Sequence, residues 1–148
     1  VAVVGNAGQR ALVQPELDAS GQGARIFFLG ALPAVDLAYQ AADCLAHPTL
    51  EDTFAMVVLE AMAHGLPVVV SSARYCGISA LLTADVDALL LTDPRDAASL
   101  QVALERVLEE GTLTQCLRMQ GLRFARQHLW SEIALQQEAI YRVVAAKT

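Results

Sequence analysis

Hydrophobic and polar positions follow two different patterns along this chain. Short, uninterrupted apolar runs, many of them β-branched, are separated by longer stretches in which apolar residues recur every three or four positions. Runs of the first kind are typical of buried parallel strands, and spacing of the second kind is typical of helices with one apolar face. The chain therefore predicts strands that alternate with helices, which indicates an α/β fold with a parallel sheet.

These patterns place the strands and helices as follows. The predicted strands cover residues 1–5, 25–29, 44–47, 67–71 and 88–91. The predicted helices cover residues 34–42, 53–64, 97–109 and 113–128, with a stretch after Gly8 that Pro15 interrupts and a last helix that Ser131 caps. A doubly wound, Rossmann-like sheet of this kind binds ligands at the carboxyl ends of its strands.

Some elements carry expectations about burial. The strand at residues 1–5 is wholly apolar, as are the valines at 68–70, so both are predicted to be buried. The helix at residues 34–42 is predicted to turn one apolar stripe inward, made of Val35, Leu37, Ala38 and Ala41. Asp96 is predicted to cap the helix at residues 97–109. Because a domain seldom starts inside a strand, we expect the chain to begin within a larger protein.

The most informative stretch runs from His47 to Ser72 and reads HPTLEDTFAMVVLEAMAHGLPVVVSS. Asp52 or Thr53 can cap the first turn of the helix predicted there, because a short side-chain oxygen accepts a hydrogen bond from a free N–H group. Gly65 follows the helix, where a left-handed conformation suits glycine, and the proline two residues later prevents continuation. The stretch therefore predicts a strand end, a loop, a helix and a second strand.

Glu60 is the polar exception in this helix. The residues around it are apolar on nearly all sides, which predicts that the helix is buried. A buried carboxylate is costly unless it is paired or hydrogen-bonded. A pair of ligand hydroxyls, backbone N–H groups or an arginine would each satisfy Glu60, so a structural and a functional role are about equally supported.

Composition and charge narrow the class of protein. The chain has 148 residues, 55% hydrophobic and 18% charged, which is enough to build one domain with a sizeable core. Its net charge is −6 and it has no run of lysine and arginine, which argues against binding nucleic acid. Membrane-span and signal-peptide patterns are not found. The cysteines are odd in number and widely spaced, which suggests reduced thiols in the cytoplasm. No histidine shows the spacing of metal ligands.

The central stretch resembles the core motif of the retaining GT-B glycosyltransferases of the group 1 (family 4) type, approximately P-S-x-x-E-G-F-G-L-x-x-L-E-A-M-A-x-G-x-P-V-V. The matching positions hold Pro48, Thr49, Asp52, Thr53, Phe54, Ala55, Met56, Leu59, Glu60, Ala61, Met62, Ala63, Gly65, Pro67, Val68 and Val69. Asp52 stands where the family has its first glutamate, and Thr53 and Ala55 replace the two glycines. RIFFLGAL at 25–32 resembles the family's V-x-F-L-G segment, and Trp130-Ser131 resembles its F-S-W junction.

The resemblance implies that residues 1–148 form one nucleotide-sugar donor-binding domain, the C-terminal half of a two-domain GT-B enzyme. It implies that Glu60 binds the ribose hydroxyls and that Asp52, the catalytic candidate, contacts hydroxyls of the donor sugar. The other implied donor-binding residues are Gly5, Gly30, Ala31, Leu32, Thr53, Phe54, Ala55 and Met56. Independently of the resemblance, N–H groups at a helix start favour an anionic diphosphate.

The expected donor is a UDP-sugar, and no metal or other cofactor is expected. The loop near Cys76-Gly77 and the His47-Pro48 pair resemble the lipopolysaccharide-core glucosyltransferases. The resemblance further implies an N-terminal acceptor-binding domain outside this chain, through which the enzyme would associate peripherally with a membrane. We therefore expect the isolated chain to be inactive. Two other functions remain open: a nucleotide-binding or interaction module without transferase activity, and a nucleotide-sugar epimerase.

Overall fold

The computed structural model describes residues 1–6, 8 and 10–146. The chain forms two compact units, Val1–Ala41 and a second unit that begins at Ala42. The α/β class and the parallel pairing of strands are confirmed, since every pair of strands in the described residues is parallel. The strands lie in two sheets, one of two strands and one of three.

The described residues of the first unit form two strands and two α-helices. In chain order these are β1 (Ala2–Val4), α1 (Arg10–Ser20), β2 (Phe27–Gly30) and α2 (Asp36–Ala41). The strands pair in parallel, with Ala2 opposite Phe27. Pro15 lies inside α1 and does not interrupt it, contrary to the prediction. Proline removes one backbone hydrogen bond, and the rest of this exposed helix retains its own.

Two burial predictions for this unit are wrong. All three residues of β1 are exposed, with Val3 at 37% and Val4 at 38%. The apolar stripe predicted for α2 does not face inward either, since Val35 is 36% and Leu37 is 65% exposed and the buried residue of the helix is Tyr39. A sheet of two short strands offers little surface against which apolar side chains can pack.

The second unit contains the remaining elements. They are β3 (Leu45–His47), α3 (Met56–Ala63), β4 (Val68–Ser71), β5 (Leu89–Leu91), α4 (Ala97–Leu108), α5 (Thr112–Gln127) and α6 (Trp130–Ala145). The strand order is β3-β4-β5, so β4 is the central strand. Every residue of β4 is buried, which confirms the prediction for the valines at 68–70. Each fully buried valine contributes roughly 1.5–3 kcal/mol of hydrophobic free energy.

The core of the second unit lies between the sheet and its helices. One buried cluster joins β4, β5, α4 and α5 and consists of Val69, Leu89, Leu91, Ala103, Val107 and Leu117. Helices α3 and α5 approach closely where a methyl group on Gly121 would lie 3.2 Å from Cγ of Met62. The cap of α4 is confirmed, since Oδ1 of Asp96 accepts hydrogen bonds from the N–H groups of Ala98 at 3.1 Å and Ser99 at 3.2 Å.

Helix α6 differs from the prediction in its start and in its surroundings. It begins at Trp130 after the N-cap residue Leu129, so Ser131 lies inside the helix and is not its cap. None of its residues is buried, so its apolar side chains form no part of the core of this chain. Within the ranges that the structure describes, no helix is long and apolar enough to cross a membrane.

Helix α3 ends as predicted but begins later. Gly65 adopts the left-handed conformation with φ of +73°, which confirms its role at the helix end. Its N–H donates to the carbonyl of Met62 at 2.9 Å, and the N–H of Leu66 donates to the carbonyl of Ala61 at 3.0 Å. This pair of bonds satisfies carbonyl groups that a helix end otherwise leaves unpaired. The predicted start at residue 53 is wrong, because the helix begins at Met56.

The loop before α3 is joined to a second loop after β4. The N–H of Asp52 donates to the carbonyl of Tyr75 at 2.9 Å, and the N–H of Gly77 donates to the carbonyl of Asp52 at 3.0 Å. The backbones are so close that a methyl group on Gly77 would overlap the carbonyl oxygen of Thr53. Glycine is therefore required at position 77 by the contact between the two loops.

We predict that Gly77→Ala lowers the free energy of unfolding by about 3 kcal/mol, because the added methyl group forces the two loops apart. Chemical denaturation of the full-length protein measures this change. Gly111→Ala is the control, since a methyl group there has no atom within 4 Å and the backbone is extended. Equal losses of stability in the two variants would show that the close approach at position 77 is not needed.

Candidate functional site

The candidate site lies at the carboxyl ends of β3 and β4. These strands are parallel and adjacent, so the loop that follows His47 and the loop that follows Ser71 leave the same edge of the sheet. The hydroxyl of Ser71 donates to the carbonyl of Thr49 at 2.7 Å, and the hydroxyl of Ser79 donates to the carbonyl of Ser71 at 2.7 Å. These bonds hold both loops against the end of β4.

The side chain of Asp52 is the centre of the first loop. Its Oδ1 accepts hydrogen bonds from the N–H groups of Phe54 at 3.1 Å and Ala55 at 2.6 Å. Its Oδ2 lies 3.1 Å from Nε2 of His47. Burial acts to raise the pKa of the Asp52 carboxyl, but these hydrogen bonds outweigh it and hold the pKa below its usual value. The site therefore contains an ionised carboxylate at neutral pH.

Asp52 or Thr53 was expected to cap α3, and the structure corrects this expectation. The N-cap residue is Ala55, which makes no side-chain cap, and Asp52 instead closes the turn that precedes the helix. An aspartate that binds N–H groups two and three residues later stabilises a tight turn. The helix starts after that turn, which explains why the sequence pattern placed its start too early.

Ala55 has a strained backbone. Its φ of 61° and ψ of 67° lie in the left-handed region, which costs a residue with a side chain about 1–2 kcal/mol. The family motif has glycine at this position. The left-handed conformation is therefore kept here although alanine replaces that glycine. Such strain persists only where surrounding contacts enforce it. Here the N–H of Ala55 is held by Asp52, and its side chain is only 4% exposed.

The helix start supplies fewer free N–H groups than the sequence suggested. Those of Phe54 and Ala55 were expected to bind phosphate or sugar oxygens, but both already donate to the Asp52 carboxylate. A phosphate at this position would have to approach the N–H groups of Thr53 and Met56, or displace the carboxylate. The arrangement therefore favours hydroxyl groups next to Asp52, with an anion bound beside them.

Glu60 lies on an exposed face of α3, so the prediction that it is a buried acid is wrong. Helix α3 buries Val58, Leu59, Ala61 and Met62 against the sheet and α5. The opposite face carries Glu60 together with Met56, which is 42% exposed, and Val57, which is 39% exposed. Exposed apolar residues on that face made the helix look buried in the sequence. The Glu60 carboxylate is accessible to a ligand.

The other residues expected at the site belong to the first unit. Gly5 directly follows β1 and Gly30 ends β2, and the N–H of Gly5 donates to the carbonyl of Gly30 at 2.8 Å. Both glycines have positive φ, of 115° and 70°. Ala31 and Leu32 follow directly, the first exposed and the second half-buried. The structure thus brings these four residues together within the first unit, and Asp52, Thr53 to Met56 and Glu60 together within the second.

Sequence reasoning missed His47 and the loop at residues 72–77. His47 was assigned no role, although an acid five residues after a histidine at a strand end is a spacing that a short loop can close. The loop at 72–77 was noted for its resemblance to the lipopolysaccharide-core glucosyltransferases and was given no structural role, yet its backbone fixes that of Asp52. Its Cys76 is 1% exposed, and burial raises the pKa of the thiol, so it is neutral.

The fold and the site together define a class of protein. It is an α/β domain with a carboxylate, a histidine and a helix N-terminus at the carboxyl edge of a parallel sheet, an arrangement suited to a hydroxyl-bearing anionic ligand. Among the described residues, no group of three or more histidine, cysteine or acidic side chains is placed to hold a metal ion.

The family follows from a comparison with known proteins. The family model described as "Glycosyl transferases group 1" matches residues 1–110, and the chain belongs to this family. A D-inositol 3-phosphate glycosyltransferase of Corynebacterium diphtheriae is 32% identical over 119 residues. That alignment covers 79% of this chain but only 27% of the relative, so the chain spans about a quarter of the relative's length.

Solved structures confirm the fold. Sucrose-phosphate synthase from Thermosynechococcus elongatus superposes with a TM-score of 0.83 and 27% identity, covering 99% of this chain and 39% of that protein. Anabaena Alr3699/HepE in complex with UDP-glucose superposes with a TM-score of 0.80 and 22% identity, covering 97% of this chain and 40% of that protein. The expected fold, that of the C-terminal half of a GT-B glycosyltransferase, is therefore confirmed.

We predict that Ala55→Gly leaves the free energy of unfolding unchanged or raises it by up to about 1 kcal/mol. The relief of left-handed strain outweighs the extra flexibility of glycine. Thermal or chemical denaturation of the full-length protein measures the effect. Ala61→Gly is the matched control, because Ala61 is equally buried but helical, and its replacement should cost about 1 kcal/mol or more. Similar losses in both variants would contradict the strain assigned to Ala55.

Proposed function

We propose that this chain is the donor-binding domain of a glycosyltransferase that transfers a sugar from a nucleotide diphosphate donor, a UDP-sugar, with retention of anomeric configuration. The observation that carries the proposal is the Asp52 loop. It presents an ionised carboxylate next to a helix start at the carboxyl edge of a parallel sheet. A sugar hydroxyl and an anionic diphosphate are the groups that such an edge binds best.

Family membership and one structural neighbour support the choice of donor. The chain belongs to the group 1 glycosyltransferases. Alr3699/HepE, which shares the fold, was solved in complex with UDP-glucose. A UDP-sugar joins a base, a ribose, a diphosphate and a hexose, so it needs hydroxyl-binding carboxylates at two places. Asp52 and Glu60 supply two carboxylates in the second unit, separated by the first turns of α3.

The proposed roles follow the chemistry of each group. Glu60, on the exposed face of α3, binds the ribose hydroxyls, and the adjacent apolar side chains of Met56 and Val57 exclude water from that contact. Asp52 uses its Oδ2 to accept a hydrogen bond from a hydroxyl of the donor sugar. In the first unit, the backbone of Ala31 and Leu32 contacts the base, and the glycines that end β1 and β2 leave room for it.

The proposed reaction needs little covalent chemistry from this domain. Negative charge develops on the diphosphate as it leaves the sugar, and fixed dipoles aimed at that charge lower the barrier. The N–H groups of Thr53, in the turn before α3, and of Met56, its first residue, provide such dipoles. The proposal requires neither a metal ion nor another cofactor.

The remaining parts of the proposal concern the whole protein. An acceptor-binding domain, N-terminal to this one, binds the sugar acceptor, and the reaction takes place between the two domains in the cytoplasm. Peripheral association with a membrane occurs through that domain, and the product is a lipopolysaccharide or another cell-surface glycan. Because positioning donor and acceptor requires both domains, these 148 residues alone have no transferase activity.

We predict that Glu60→Ala weakens the binding of a UDP-sugar by about 10- to 100-fold, since a hydrogen bond to a charged group contributes about 1.5–3 kcal/mol. Isothermal titration calorimetry on the full-length protein measures the affinity. Glu105→Ala, which removes an exposed glutamate from α4, is the control and should bind normally. Unchanged affinity in a folded Glu60→Ala variant would refute the ribose role. A wild-type protein that binds no nucleotide sugar would refute the proposed function.

We predict that Asp52→Asn lowers kcat/KM by about 10- to 100-fold while the fold stays intact, because the amide keeps the turn but loses the charge that binds the sugar hydroxyl. Steady-state kinetics with donor and acceptor measures this loss. Glu51→Gln is the matched control, since the exposed Glu51 lies one residue away and should be dispensable. If Glu51→Gln abolishes turnover and Asp52→Asn does not, the sugar-binding carboxylate belongs to Glu51.

A further inference from the structure

Among the residues that the structure describes, His47 is the side chain that bonds to Asp52 from outside its own turn. Its Nε2 lies 3.1 Å from Asp52 Oδ2, and the two side chains are 24% and 31% exposed. His47 is the last residue of β3, a strand paired along its length with the fully buried β4. The sheet therefore fixes the backbone of His47. Its side chain, through the contact with Asp52, attaches the loop to this fixed strand end.

The hydrogen-bond capacity of Asp52 shows what His47 controls. An ionised carboxylate can accept about four hydrogen bonds, two on each oxygen. Both acceptor positions of Oδ1 are used by the N–H groups of Phe54 and Ala55. On Oδ2 one is used by His47, which leaves one acceptor position. That position belongs to a side chain that is 31% exposed, so a ligand can reach it.

The direction of this last acceptor position depends on His47. The backbone of Asp52 is held by Tyr75 and Gly77, and Oδ1 is held by the turn. These contacts fix the backbone and Oδ1 but do not bind Oδ2. The bond from His47 holds Oδ2, provided that the histidine carries its hydrogen on Nε2 and donates it.

We propose that His47 is a positioning residue for the sugar of the donor. It holds Oδ2 of Asp52 so that the remaining acceptor position faces a sugar hydroxyl, and it does not touch the donor itself. This inference rests on the proposed function, because it takes Asp52 as the group that binds the sugar. It assigns to this pair a part in binding the hexose of the donor and none in binding the nucleotide.

A merely structural role for His47 makes a different prediction. If the histidine only stabilised the loop, its loss would disturb the start of α3 and weaken the binding of UDP and of a UDP-sugar together. A positioning role weakens the binding of the UDP-sugar alone, because UDP lacks the hexose that meets Asp52. The ratio of the two affinities therefore separates the roles.

The test uses His47→Ala, His47→Asn and His47→Gln in the full-length protein, with UDP and UDP-glucose as the ligands in calorimetry. The amide nitrogen of glutamine can take the place of Nε2, and that of asparagine is too short to do so. We expect His47→Ala and His47→Asn to weaken UDP-glucose binding about tenfold, as for one lost hydrogen bond to a charged group, with UDP binding unchanged. His47→Gln should restore UDP-glucose binding.

A double variant completes the test. If His47 acts only through Asp52, His47→Ala should cause no further loss of UDP-glucose affinity in an Asp52→Asn background. Independent losses that multiply, equal losses for both ligands, or normal binding by His47→Ala and His47→Asn would each overturn the inference. If His47→Ala does not fold, the comparison of His47→Asn with His47→Gln decides. A wild-type protein that binds UDP-glucose, with His47 variants unaffected, refutes this inference and leaves the proposed function intact.

Discussion

The carboxylate of Asp52 is the group on which the rest of the candidate site depends. It accepts hydrogen bonds from two N–H groups of its own turn and from the ring of His47, while its backbone bonds to the loop after β4. These contacts hold Ala55 in a left-handed conformation and thereby decide where α3 begins. One residue, through its carboxylate and its backbone, thus joins the end of β3, the second loop and the turn before α3.

This arrangement changes how a ligand would be bound at the start of α3. A bare helix start offers several N–H groups to an anion, but here an internal carboxylate already occupies two of them. The edge of the sheet therefore combines a negative side chain with a partly satisfied helix dipole. A ligand that carries both hydroxyl groups and a diphosphate fits such an edge better than a simple phosphate, which supports a nucleotide sugar.

Much of the fold could be predicted because it depends on local patterns. The buried valines of β4, the left-handed Gly65 and the cap at Asp96 follow from neighbouring residues, and all three are confirmed. The predictions that were wrong concern how deeply a residue is buried by its neighbours in the fold. Residues 1–5 and Glu60 were assigned to a buried environment from apolar neighbours alone, yet burial depends on which elements pack against each face.

The sequence by itself determined the α/β class, the helix that carries Glu60 and the motif that places the chain in its family, because the spacing of residues decides each of these. Only the tertiary structure decided the partners of Asp52. His47 reaches Asp52 only because the loop after β3 turns back on the strand end, and glycine is required at position 77 because of Thr53, about 25 residues earlier in the chain. Contacts of this kind leave no periodic signal in a sequence, since they are set when the strands align.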